Sequence, residues 1–332
     1  MPIKPTTLQF KAQERNVFFH LLTACNLSCS HCYINIDQHG AQTVSRETME
    51  RWLELFYQPA KQSNIIFLGG EPTLHPDLAH GIRYARQLGY ATITVDSNGF
   101  LFHDLLARIE PGEAVLSFSL DGPDAAVNDP IRGRDVFATC IANLKQALAL
   151  GFEVSVIYTV SRMNLHHLER MPALLHSLGV KRFFIQVIGI RGKSAATAET
   201  LQLSPDEWLS VIPPVAQEAA ERGIHVIYPK VFLEEGEEFA CAGEVAENFF
   251  IFPNGRVYKC PLCEDFPIHA LEIKDNRLVK TQGLNEERFF QLHIPEGCVM
   301  NKLLQPGNIE YLADGTPKHR ISCCLLKQEM KK

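Results

Sequence analysis

Thr23-Ala24-Cys25-Asn26-Leu27-Ser28-Cys29-Ser30-His31-Cys32-Tyr33 is the stretch on which the fold turns. Its thiols are spaced C-x3-C-x2-C and follow a run of strand character at 16–22. A cubane iron–sulfur cluster normally takes four thiolates, so three from one loop leave one iron open. An open coordination position marks a reactive metal centre rather than a structural one. Read alone, the triplet also suits part of a zinc site.

Outward from that loop, strand-like runs alternate with helical ones. After 16–22 the strand signals lie at 64–68, 91–95, 114–120, 154–160 and 182–188. Helical periods fill 45–58, 77–88, 135–150 and 166–178, and Gly89, Gly151 and Gly179 stand where helices end. Six β-α units in succession predict parallel strands joined by right-handed crossovers, as an open doubly wound sheet or a partial barrel. Both architectures collect ligands at the C-terminal strand ends. Polar residues stand at those ends: Gly69-Gly70-Glu71-Pro72 after the second strand, Asp96-Ser97-Asn98-Gly99 after the third, and Ser119 and Asp121-Gly122 at the fourth, with Arg132 a loop later. Asn98-Gly99 by itself reads as a turn, and Arg132 as a solvated charge. Their shared rim with the cysteine loop is what singles them out.

In order and position, the cysteine triplet, the Gly-Gly-Glu-Pro and the Ser119-Leu120-Asp121-Gly122 resemble the radical S-adenosylmethionine (SAM) superfamily over about residues 16–200. The resemblance implies an α/β fold, a partial (β/α)6 TIM-like barrel, with a [4Fe–4S] cluster on Cys25, Cys29 and Cys32. It implies that SAM chelates the open iron, is cleaved to a 5′-deoxyadenosyl radical, and that this radical takes hydrogen from a substrate. Glu71, with Gly69 and Gly70, is then expected to accept the SAM ammonium. Arg132 is expected to meet its carboxylate, with a hydroxyl from Ser119. His31 stands where an adenine-contacting aromatic is usual, its alternative being a surface histidine. Asn98, Asp121 and Gln186 are expected to line the adenosine or substrate pocket.

Ten cysteines in a chain of 332 residues fall in two regions, with Cys140 apart as a core residue of helix 135–150. The second region contains Cys241, Cys260, Cys263, Cys298, Cys323 and Cys324. Pro253-Asn254-Gly255 between two apolar runs predicts a hairpin that draws Cys241 and Cys260 together. The spacing C-x13-G-x4-C resembles the opening of SPASM and twitch auxiliary-cluster domains. Six cysteines supply one fully ligated cubane, not two. One auxiliary [4Fe–4S] cluster is therefore expected, with Cys241 and Cys260 as ligands and two more from the remaining four. Four of the six also suit an all-cysteine zinc site. The C-x2-C-x5-C-x3-C array of the full SPASM pattern is missing.

The expected division is an N-terminal extension at 1–15, a core at 16–215 and an auxiliary-cluster domain at 216–332. Ser204-Pro205-Asp206-Glu207 predicts a helix start, and the acidic run 234–238 a solvated loop. With 46% apolar and 21% charged residues and a formal net charge of −6, composition makes no case for nucleic acid. No apolar run reaches membrane-spanning length and the N-terminus lacks a signal-like apolar region, so a cytoplasmic protein is expected. The reading is an oxidoreductase or maturase acting on a peptide. It would need an external flavodoxin- or ferredoxin-like electron donor and, with few residues before the first strand, either a separate leader-peptide-binding protein or the barrel itself to bind the leader. The alternatives are dehydrogenation or cofactor biosynthesis on a small molecule, or a non-catalytic iron–sulfur redox or scaffold protein.

Overall fold

The computed structural model describes residues 3–197 and 201–332; Met1 and Pro2 of the expected N-terminal extension lie outside them. The described strands are β1 (Thr6–Leu8), β2 (Glu14–His20), β3 (Gln62–Leu68), β4 (Thr92–Ser97), β5 (Val115–Ser119), β6 (Val154–Val160) and β7 (Arg182–Val187). They continue with β8 (His225–Pro229), β9 (Glu247–Ile251), β10 (Arg256–Tyr258), β11 (Leu271–Lys274), β12 (Arg277–Lys280) and β13 (Lys327–Met330). All belong to one sheet in the order β1-β13-β8-β7-β6-β5-β4-β3-β2-β9-β10-β11-β12.

β2 to β8 run parallel, each bonded to the next. The six strands expected from the sequence are β2 to β7. β8 is a seventh, from a segment expected only to join the two regions. β9 adds in parallel to the free edge of β2, and β13 closes the other edge antiparallel to β8. The expected boundary at residue 215 falls inside the helix Pro205–Glu221, and strands from both sides of it share the sheet.

The helices form where caps and apolar spacing coincide. Arg46–Phe56 starts at Ser45, whose side chain accepts from Thr48 N, and buries Met49, Trp52, Leu53 and Phe56. Pro205–Glu221 starts with a full capping box between Ser204 and Glu207. Val136–Ala149 buries Val136, Cys140, Leu144 and Ala147, so Cys140 is the core residue expected. Gly89 at φ +98° and Gly179 at φ +81° end their helices in the left-handed region.

Alternation along the parallel strands divides their two faces. Phe19, Phe67, Val95, Phe118, Val156, Phe183 and Ile185 sit in the principal apolar core. Phe18, Asp96, Ser119, Ile157, Phe184 and Gln186 face the other way, into the open barrel, and are only half-buried. Among the described residues, no helix is long and apolar enough to cross a membrane.

Candidate active site

The cysteine loop leaves β2 at the C-terminal rim and is tied down on three sides. On the first side, Gly70 N donates to Leu22 O at 2.9 Å and Glu71 N to Ala24 O at 3.0 Å. A Cβ on Gly70 would stand 2.2 Å from Ala24 O, and one on Gly69 would stand 2.4 Å from Leu22 O. The glycines therefore let the loop after β3 lie against the backbone of the cysteine loop. On the second side, the helix Ala125–Arg132 ends against the loop, with Ser30 N donating to Ile131 O at 3.0 Å. On the third, Lys193 N donates to Cys32 O at 2.9 Å.

The polar residues of the rim are knitted to one another. Glu71 is fully buried; its Oε1 accepts from Thr73 N, Thr73 Oγ1 and Ser97 Oγ, and its Oε2 from Asn98 N at 2.7 Å. The carboxylate expected to meet an ammonium is thus engaged in fastening the β4 end to the Pro72–Leu74 turn. Asn98 Nδ2 donates to Asn26 Oδ1 at 2.8 Å and lies 3.7 Å from Cys25 Sγ. Asp121, with no exposure, accepts from Thr159 N at 2.8 Å. Its other oxygen lies 2.7 Å from Arg132 Nε and 3.3 Å from His31 Nε2. The Arg132 contact is one of charge, without the alignment of a hydrogen bond. Burial holds His31 below its ordinary range, against the pull of Asp121, so His31 is a half-buried neutral ring and not a surface one. Ser119 and Gln186 sit half-buried on the lumen face of β5 and β7.

Two groups at this rim were given no individual role from the sequence. Asp96 faces the lumen one residue before Ser97, and burial pushes its carboxyl up to about 7. Tyr33, directly after Cys32, bonds His20 Nε2 at 2.8 Å and lies under the Arg191 guanidinium, 4.5 Å from its ring centre. Arg191 also pairs with Glu264 and donates to Pro261 O, in the segment carrying Cys260 and Cys263. Spacing cannot disclose this bridge, because its members are far apart in sequence.

In the second region the hairpin β9–β10 forms as expected. Cys241, Cys260, Cys298, Cys323 and Cys324 line one pocket, and Cys263 lies beside Cys260. Hydrogen bonds from Cys241 and Cys324 hold the Cys323 sulfur well below the usual thiol range. Glu286, fully buried, accepts from Lys259 N at 2.7 Å, Cys260 N at 3.0 Å and Ala270 N at 3.0 Å, which fixes the backbone that presents Cys260.

The donor chemistry fits iron–sulfur clusters. All ten cysteines are free of disulfides, and soft sulfur is the donor in both regions. Burial pushes the Cys29 thiol up, partly offset by Arg132, so binding of a metal must displace its proton. Among the described residues no three His, Cys, Asp or Glu side chains converge on one point as a ready cage for a single ion. A cubane is gripped at its corners and asks for no such convergence.

Residues 20–175 match the family described as the Radical SAM superfamily. The mycofactocin maturase MftC of Mycobacterium ulcerans (strain Agy99) is 27% identical over 317 residues, covering 84% of this chain and 77% of MftC. A probable GTP 3′,8-cyclase of Saccharolobus solfataricus is 28% identical over 170 residues, and this chain spans 54% of its length. Among solved structures, Streptococcus suis SuiB bound to S-adenosylmethionine superposes with a TM-score of 0.59 at 15% identity, covering 76% of this chain and 61% of SuiB. Native anSMEcpe with bound AdoMet and the Kp18Cys peptide superposes with a TM-score of 0.61 at 14% identity, covering 88% of each chain. At these identities the structural likenesses are likenesses of fold.

Proposed function

This chain is an enzyme with a radical SAM domain over residues 20–175, and on that premise we propose that it modifies a peptide, with one auxiliary iron–sulfur cluster in its C-terminal region. The observation that carries the peptide reading is the extent of the likeness to the maturase MftC. It reaches 84% of the chain, too much to be confined to the domain at 20–175. The likeness to the cyclase stops at 50% of the chain. SuiB bound to its precursor peptide SuiA shares the fold at a TM-score of 0.62.

Radical SAM proteins bind a [4Fe–4S] cluster and SAM, which together supply a 5′-deoxyadenosyl radical for hydrogen abstraction. In this reading Cys25, Cys29 and Cys32 hold the cluster. Arg132, steadied by Asp121, offers its guanidinium to the SAM carboxylate. The backbone of Gly69 and Gly70 borders the ammonium, while Glu71 acts through Thr73, Ser97 and Asn98, which it positions. His31 borders the adenine as a neutral ring, and Ser119 and Gln186 line the lumen. Four of Cys241, Cys260, Cys263, Cys298, Cys323 and Cys324 hold the auxiliary cluster, in the C-terminal region that follows the helix Pro205–Glu221. A flavodoxin- or ferredoxin-like donor supplies electrons.

Anaerobic reconstitution with iron and sulfide, then SAM and dithionite, tests the reading. Formation of 5′-deoxyadenosine is expected, and its absence even in uncoupled turnover overturns the enzymatic mechanism. About eight irons per chain are expected from two cubanes. About four, accompanied by zinc, would replace the auxiliary cluster with a zinc site. Cys29→Ala is expected to abolish SAM cleavage, and Cys260→Ala to spare cleavage while stopping product formation.

A further inference from the structure

β12 is an outermost strand of the sheet, and no strand among the described residues pairs with its far side. Asp275 and Asn276, at φ +49° and +56°, turn β11 into β12 and set Lys274 opposite Arg277 and Glu272 opposite Val279. Thr281 N donates to Ala270 O at 3.0 Å, so the backbone of Thr281 bonds toward β11. Along an antiparallel ladder, residues alternate between bonding toward the partner and away from it. Arg277 and Val279 therefore bond inward, and Leu278 and Lys280 turn their N–H and C=O groups outward. That edge is open to a further strand.

The side chains of β12 choose what that strand is. Leu278 packs against the principal core and holds the hairpin in place. Val279, Arg277 and Lys280 are exposed, and neither cation has an ion-pair partner among the described residues. A second copy docked edge to edge would bring these cations together, which is destabilising, whereas a strand bearing carboxylates would be attracted. Direction narrows the choice further. β9 runs parallel to β2, and β10, β11 and β12 each reverse the strand before, so β12 is antiparallel to β2. A strand added antiparallel to β12 runs in the sense of β2. Its C-terminal end leaves on the side where the cysteine loop leaves β2. The four strand spacings from β2 to β12 amount to roughly 19 Å, which about six extended residues span.

We infer that β12 is the docking strand for the peptide substrate: an acidic, extended segment of the peptide pairs antiparallel with Leu278 and Lys280, and the residues after it reach the barrel mouth. Backbone pairing supplies affinity, and Arg277 and Lys280 select the charge. Glu286, in the turn beyond β12, accepts from Cys260 N at 3.0 Å, so the docking strand is braced against the second cysteine region. The inference rests on the peptide-modifying reading and adds to it where, in this chain, the leading part of the peptide is held.

The test is fluorescence anisotropy on the reconstituted full chain with short labelled peptides blocked at both ends. One alternates valine with glutamate, and one alternates valine with lysine. A third is the glutamate peptide N-methylated at two adjacent central amides, which removes a donor from each of its edges. The wild type is expected to bind the glutamate peptide about tenfold tighter than the lysine peptide, as exposed ion pairs replace repulsions. N-methylation is expected to weaken binding about tenfold through lost backbone bonds. Lys280→Pro deletes an outward N–H and keeps the bonds to β11, and should weaken the glutamate peptide by about tenfold. Arg277→Gln combined with Lys280→Gln keeps the backbone and should bring the glutamate and lysine peptides to equal affinity. Glutamate-peptide binding that is absent from the wild type, is matched by either other peptide, or survives intact in Lys280→Pro overturns the inference. So does a charge preference unchanged in the double glutamine variant, which decides the case if Lys280→Pro does not melt like the wild type. Formation of 5′-deoxyadenosine by the wild type without peptide is measured alongside. Its absence defeats the earlier reading whatever the peptides do; its presence without glutamate-peptide binding defeats this inference alone.

Discussion

Glu71 and Asp96 are carboxylates at one rim, and burial raises both above the ordinary range. Glu71 is compensated by four donors, whereas Asp96 leans on Ser117 alone and is pushed up to about 7. An unfolded aspartate titrates near ~3.9. Between about pH 4 and pH 7 the folded chain therefore holds a proton that the unfolded chain has lost. Stability falls as pH rises through that window and levels off above it. The slope is at most ~1.4 kcal/mol per pH unit, trimmed by water in the open lumen. Urea unfolding at pH 5 and pH 7.5 should show a smaller loss for Asp96→Asn than for the wild type; equal losses would remove Asp96 as the source. The sequence placed both carboxylates at the rim but gave a role to Glu71 alone, because a strand-end aspartate has no distinguishing spacing. That role was contact with a ligand. The structure adds four bonds by which Glu71 also fastens the β4 end to the Pro72–Leu74 turn.

At the scale of elements, the β9–β10 hairpin is the join between the two cysteine regions. Phe252, fully buried at its turn, stacks between His20 at 4.0 Å and His39 at 3.8 Å. His20 bonds Ile251 O through Nδ1 and Tyr33 through Nε2. Burial presses His39 down to about 3, so the stack is neutral at working pH. Phe252→Ala should cost roughly 3–5 kcal/mol by emptying that space. It should also loosen the cysteine loop through Tyr33. A thermal melt and iron analysis check both expectations, and an unchanged iron content would mean that the hairpin does not brace the first cluster. Pro253-Asn254-Gly255 announced this hairpin because the turn needs a positive φ, met at Gly255 with φ +85°. Where the hairpin docks was not legible, since docking depends on aromatic faces brought together from distant segments.

At the scale of the whole molecule, the parallel run β2 to β8 is bordered by strands from the C-terminal third. β9 covers the edge of β2 and β13 the edge of β8. A chain ending at residue 240 would expose both edges of the parallel run, which invites association. It should aggregate or lose its cooperative melt, as gel filtration and circular dichroism would read; a monomeric, cooperatively melting fragment would make the core independent. The amino-acid sequence alone determined the local matters: the cysteine triplet after the first parallel strand, the β-α alternation, the capped helices and the hairpin. Each depends on residues within a few positions of one another, where backbone geometry and side-chain period act directly. Tertiary structure alone decided that β8 and β13 join the sheet, that six distant cysteines gather in one region, and that β12 is left with a free edge. Those outcomes turn on register and alternation across strands far apart in the chain, and a short strand such as Lys327-Gln328-Glu329-Met330 has too little apolar pattern of its own to announce its place.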